Sequence, residues 1–213
     1  MIITFYNHSC FKVQSGDFIA AFDPPSKTSK YKTPRFQTDL IFISHNNENH
    51  NGRDALTLKE EDEKYIIDSP GEYEIKDVLI RGVESRINEK NESGINTIFV
   101  LDLEDIRICH MGDFSEDKLS SEIKEALGKI DILFYPVGGN FSNAKKAAAI
   151  INEIEPSVVC PMHYDATEKN NLKLQEFLNE FSEDQVEKID KLTIKRKDLS
   201  EEGMKVIVLE SSI

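Results

Sequence analysis

The apolar pattern changes character near Cys109, and that change constrains the fold more than any other feature. Up to that point the apolar runs are short and bounded by turn residues. Phe5 to Tyr6, Phe11 to Val13, Phe18 to Phe22 and Leu40 to Ile43 read as strands, separated by Ser15-Gly16-Asp17 and Asp23-Pro24-Pro25. Ile66-Ile67, Tyr73 to Ile75, Val78 to Ile80, Ile95 to Leu103 and Ile106 to Cys109 continue the series. Beyond it, helical and strand spacing alternate. Helices are predicted over Glu116 to Leu127, Ser142 to Ile154 (with Ser142 placed to cap it) and Asn170 to Phe181. Strands are predicted at Ile130 to Val137, Val158 to Cys160, Leu192 to Lys195 and Lys205 to Leu209. No linker or repeat divides the two halves, so one domain over residues 1–213 is expected, of layered sheets with helices on their faces.

Composition narrows the partners. The 213 residues carry a formal net charge of −13, which repels phosphate backbones and anionic lipid. Nucleic acid and membrane are therefore disfavoured as partners, and a small-molecule substrate or ligand is the expectation. The basic residues Lys27, Lys30, Lys32 and Arg35 form a local exception in a polar, Pro-bounded loop. No apolar run approaches the ~20 residues of a membrane helix. The opening Met1 to Tyr6 reads as a strand rather than a signal segment. Cys10, Cys109 and Cys160 are far apart with no CxxC pair, which suggests buried free thiols and a cytoplasmic location.

The five histidines are the chemical signal. His8, His45, His50, His110 and His163 each fall at or just beyond a predicted strand end, where layered α/β folds gather ligands. Ser44 to Gly52 holds His45 and His50; Ile108 to Asp113 holds His110 and ends in a Gly-Asp turn; Val158 to Tyr164 ends in His163. Imidazole suits zinc, and a neighbouring carboxylate suits zinc, iron or manganese, so His45, His50, Asp113 and His163 are the candidate ligands of a metal. Any one of these histidines by itself is better explained as a hydrogen-bonded strand-end residue.

The order of these loops resembles the metallo-β-lactamase superfamily over nearly the whole chain, in particular its small zinc-dependent hydrolases. Tyr6-Asn7-His8-Ser9-Cys10-Phe11 is similar to an opening G-H-S turn, with Asn7 where Gly is usual. Phe22-Asp23-Pro24, Ser69-Pro70-Gly71-Glu72, Gly112-Asp113, Pro136-Val137-Gly138-Gly139 and Pro161-Met162-His163-Tyr164 follow in the expected order. The resemblance implies a four-layer αββα sandwich and a two-metal site built on H-x-H-x-D-H. Here that motif reads His45, Asn47, Asn49 and His50, and Ile87 aligns where a further His is expected. Amides are poor zinc ligands, so the resemblance implies one ion at most, held by His50, Asp113 and His163 with His45 beside them, or none at all. Asn49 stands where the family's Asp orients the attacking water, so Asp113 and Asn49 are the candidate catalytic residues. His8, His110 and Asn47 are expected in the surrounding shell or at substrate. Two functions stay open: a one-metal zinc hydrolase acting through metal-bound hydroxide, or a non-catalytic descendant that binds a small ligand or protein partner in the old cleft.

Overall fold

The structure is a computed structural model that describes residues 1–59, 65–89, 92–138, 143–168, 170–199 and 203–213. Strands β1 (Ile2–Phe5) and β2 (Phe11–Ser15) form where side chains alternate in and out, with Ile3, Phe5, Phe11 and Val13 fully buried, and β3 (Phe18–Phe22) follows with Ala20, Ala21 and Phe22 all buried. Next come β4 (Gln37–Thr38), β5 (Leu40–Phe42), β6 (Thr57–Leu58) and β7 (Tyr65–Ile67). All of β5 is buried, as a parallel strand flanked on both sides by β3 and β7 should be.

The chain then turns to β8 (Gly71–Ile75) and the long hairpin of β9 (Val78–Glu89) and β10 (Glu92–Leu103). After β11 (Ile106–His110), strands alternate with helices: α1 (Ser121–Leu127), β12 (Ile132–Pro136), α2 (Ala144–Ile154), β13 (Val158–Met162) and α3 (Leu172–Leu178). β14 (Val186–Ile189), β15 (Leu192–Thr193) and β16 (Lys205–Leu209) complete it.

These strands make two mixed sheets. The first runs β15-β1-β2-β3-β5-β7 and the second β14-β16-β13-β12-β11-β10-β9-β8, with β4 and β6 as a small separate pair. Aromatic rings join the sheets across the core. Phe11 stacks on Phe134 at 4.1 Å between centroids, and Phe42 meets Phe99 at 4.9 Å. β11, β12 and β13 are parallel, so α1 and α2 are crossover helices, and Ile123, Leu127, Ile150 and Ile151 bury their apolar faces. The layered sandwich expected from the patterning is the observed architecture.

Several boundaries differ from the sequence reading. The helix expected from Glu116 begins only at Ser121, because Ser120 caps it through Ile123 N–H while Ser115 and Glu116 bond to the backbone of Arg86. The helix expected over Asn170 to Phe181 spans only Leu172–Leu178, capped by Asn171. Asn143 caps α2, and Ser142 lies outside the described residues. Strand β9 runs well past Ile80, because its continuation buries Gly82, Ser85 and Ile87 rather than an apolar run. Among the described residues no helix is long and apolar enough to cross a membrane, and Cys10, Cys109 and Cys160 are buried free thiols.

Candidate metal centre

At one end of the sandwich the turns after β1, β3 and β5 meet those after β11 and β13. Asp113 sits at the middle of this meeting point. Its Oδ2 is 3.2 Å from His45 Nε2, and its Oδ1 is 3.3 Å from His50 Nε2 and 3.1 Å from His163 Nε2. His45, His50 and Asp113 are buried, and the His163 side chain is nearly so. The fold thus gathers the three candidate histidines His45, His50 and His163 around the candidate Asp113.

The turn that carries Asp113 is built from behind. Gly112 has φ of 59°, and a Cβ there would lie 2.6 Å from that of Ser44, so only glycine fits. Asn96, fully buried on β10, accepts from Asp113 N–H at 2.9 Å and donates to the Met111 carbonyl at 2.9 Å. His110 completes the support. Its Nδ1 accepts from Gly112 N–H (3.1 Å), so Nε2 carries the proton and donates to the Ser9 carbonyl (3.0 Å). Burial lowers its pKa, which keeps it neutral, and its ring stacks on Phe22 at 5.2 Å. His110 therefore supports Asp113 by holding the backbone of the turn that carries it.

Asp23, which sequence reasoning noted only as part of a turn, organises the other side. It is fully buried; Oδ1 accepts from Ser44 N–H at 2.7 Å, and Oδ2 accepts from Ser44 Oγ at 2.6 Å and from His50 Nδ1 at 2.8 Å. Burial raises its carboxyl, but His50 and the neighbouring imidazoles more than offset this, so it stays below the usual carboxylate range. A carboxylate accepts only, so Ser44 spends its hydroxyl proton on Asp23 and must accept from His45 Nδ1 at 3.0 Å. Both His45 and His50 consequently carry their proton on Nδ1 when neutral and present Nε2 to Asp113.

Two neutral Nε2 lone pairs aimed at an ionised carboxylate repel it. The arrangement calls for positive charge among them, as a proton or as a cation. Burial raises the Asp113 carboxyl, but the charge of nearby His163 and His50 outweighs it and holds the group well below its usual range. The imidazole and carboxylate donor set, with His45 and His50 oriented from behind by Ser44 and Asp23, fits a divalent metal such as zinc.

The amides of the motif face elsewhere. Asn47 Oδ1 accepts from Asn49 N–H at 2.9 Å within its own turn. Asn49 Oδ1 accepts from Ser29 Oγ at 2.7 Å, in the loop carrying the basic residues. That places the candidate catalytic Asn49 against the loop, with its oxygen engaged there. Ile87 is buried on β9, one residue from Arg86, whose carbonyl accepts from Ser115 Oγ. His8 lies inside the cluster, 4.2 Å from His163 and 5.0 Å from His50 between ring centroids, under the Tyr31 ring at 4.4 Å. Tyr31, Asn96 and Asp23 were all missed as site residues. A single aromatic inside a polar, basic loop was the signal for Tyr31; Asn96 offered none.

Comparison with known proteins fits this centre and fold. Residues 2–163 match the family described as the beta-lactamase superfamily domain. The chain belongs to the metallo-β-lactamase superfamily. It is 27% identical over 191 residues to a UPF0173 metal-dependent hydrolase of Natranaerobius thermophilus, covering 78% of this chain and 84% of that one. A Listeria monocytogenes UPF0173 metal-dependent hydrolase is 26% identical over 200 residues, covering 78% of this chain and 86% of that one. A crystal structure of a metallo-β-lactamase superfamily protein from Thermotoga maritima superposes with a TM-score of 0.77 at 28% identity, covering 98% of each chain.

Proposed function

We propose that this protein is a metal-dependent hydrolase of a small-molecule substrate that works with a single ion, zinc by the chemistry of its donors. What supports the reading is one observation: His45, His50, Asp113 and His163 converge, whereas the Asn47 amide oxygen is engaged within its own turn and that of Asn49 by Ser29 of the basic loop. The relatives named as metal-dependent hydrolases point the same way.

A divalent ion in such a site supplies Lewis acidity and activates a water at neutral pH. The chain's own residues do the rest. Asp23 fixes the proton of His50 on Nδ1, and Ser44 does the same for His45, so Nε2 of each stays available to the centre. Asp113, held ionised, has one oxygen beside His45 and the other beside His50 and His163, and so would hold the ion together with them. Tyr31 closes one side against solvent.

The test is elemental analysis of purified protein, with hydrolysis of p-nitrophenyl acetate and bis(p-nitrophenyl) phosphate before and after chelation. The expected result is up to one zinc per chain and an activity that chelation removes and zinc restores. Metal-free protein that takes up no zinc, or activity untouched by chelation, refutes the reading.

A further inference from the structure

We infer that His8 is itself a ligand of this ion, joining His50 and His163 in place of the ligands lost at Asn47 and Asn49. The inference rests on the proposed one-metal hydrolase and deepens it.

The argument begins with what holds His8. Its backbone is left-handed, with φ of 54°, an uncommon setting for a residue with a side chain. Asn7 Oδ1 accepts from its N–H at 2.7 Å, and its carbonyl accepts from His163 N–H at 2.6 Å. One ring face stacks on Tyr31 with an interplanar angle of 20°. Every positioning contact therefore uses the backbone or the ring faces.

Its nitrogens have none of this. His8 is 6% exposed, yet neither Nδ1 nor Nε2 finds a hydrogen-bond partner among the described residues. A buried imidazole with both nitrogens unmatched has given up its bonds to water without replacement. Folds seldom tolerate that unless a missing species completes the site.

The surroundings name the species. Ligand atoms of His8, His50 and His163 all lie within 4.8 Å of one another. Tetrahedral zinc with bonds of about 2.1 Å spaces its donors by roughly 3.4 Å, which modest side-chain rotation reaches from there. His50 offers Nε2, since its Nδ1 is committed to Asp23. A neutral imidazole keeps a lone pair on one ring nitrogen, which is what an ion takes. A ring merely packed against Tyr31 could as well be phenylalanine.

The test reads coordination directly. Protein labelled with 15N-histidine is titrated with zinc while the ring nitrogens are followed by NMR. The expected result is a large shift of one His8 nitrogen together with those of His50 and His163. If zinc moves His50 and His163 but leaves His8 in place, this inference fails while the one-metal hydrolase stands; if zinc moves none of them, both fail. His8→Asn, which suits the left-handed backbone, and His8→Phe, which keeps the stack, should each weaken zinc by more than the ~100-fold typical of an outer-shell change. Cobalt-loaded variants should also show altered visible bands. Unchanged affinity and bands in a folded variant overturn the assignment.

Discussion

His163 N–H donates to the carbonyl of His8 at 2.6 Å, and both residues adopt left-handed backbone, with φ of 65° and 54°. The two strand ends are thus locked together before any side chain is considered. Asn7, with φ of 100°, holds the lock by accepting from His8 N–H (2.7 Å) and Ala166 N–H (2.9 Å). Replacing Asn7 with Ala removes both bonds and keeps the backbone strain. Asn7→Ala should lower stability by about 2–3 kcal/mol, and Asn7→Gly by less, because glycine relieves the strain. Urea unfolding midpoints of the two variants check the order.

Asp23 orients His50 and Ser44 from a fully buried position. Asp23→Asn preserves shape but weakens its hold on the Nδ1 proton. Zinc affinity, measured by competition with a chromogenic chelator, should fall about 10–100-fold, as for other second partners of metal-bound histidine. An unchanged affinity would remove Asp23 from the centre.

Restoring the motif is the converse experiment. Asn47→His with Asn49→Asp should raise zinc content above that of the parent, and zinc should then raise the melting temperature more than it does in the parent. The cost is local, since Asn47 Oδ1 presently supports Asn49 N–H and Asn49 holds Ser29. Adding Ile87→His should increase metal content further. Elemental analysis of the three proteins decides it.

The acid limb of stability has a separate source. Asp39 is paired with Lys59 at 2.8 Å and Lys76 at 3.0 Å and accepts from Ile19 N–H at 2.8 Å. Burial raises its carboxyl, but these contacts more than offset it, leaving it below the usual carboxylate range. A lowered folded-state pKa stabilises above the unfolded carboxylate value and is lost as pH falls through the folded one. Asp39→Asn should therefore cost about 1 kcal/mol near pH 7 and progressively less toward pH 3. Urea midpoints across that range provide the check.

Burial raises all three thiols: Cys10 well above its usual value, and Cys109 and Cys160 likewise. Native protein at pH 8 should leave a disulfide reagent such as DTNB unreacted, and denatured protein should release three equivalents, matching the three cysteines. Fast reaction of native protein would contradict their placement.

Much of the site was legible because its residues cluster at strand ends beside turns, where composition changes abruptly. Asp23 was not, since its role depends on contact with His50 across two separate turns. Strand β9 was underread for a related reason. Its buried positions hold Gly82 and Ser85, which carry no apolar period, and only its pairing with β10 makes them interior. The early start expected for α1 failed because Glu116 bonds to Arg86 rather than continuing a helix.

His8, Asp23, His45 and His50 hang from the six-stranded sheet, whereas His110, Asp113 and His163 hang from the eight-stranded one. An ion seated among them is a rivet through two leaves. Loading then stiffens the seam between the sheets more than either sheet, and slows amide exchange most where Thr97 N–H crosses to the Ser44 carbonyl. In such a molecule the filling of the metal centre would be read in the mechanics of the whole sandwich.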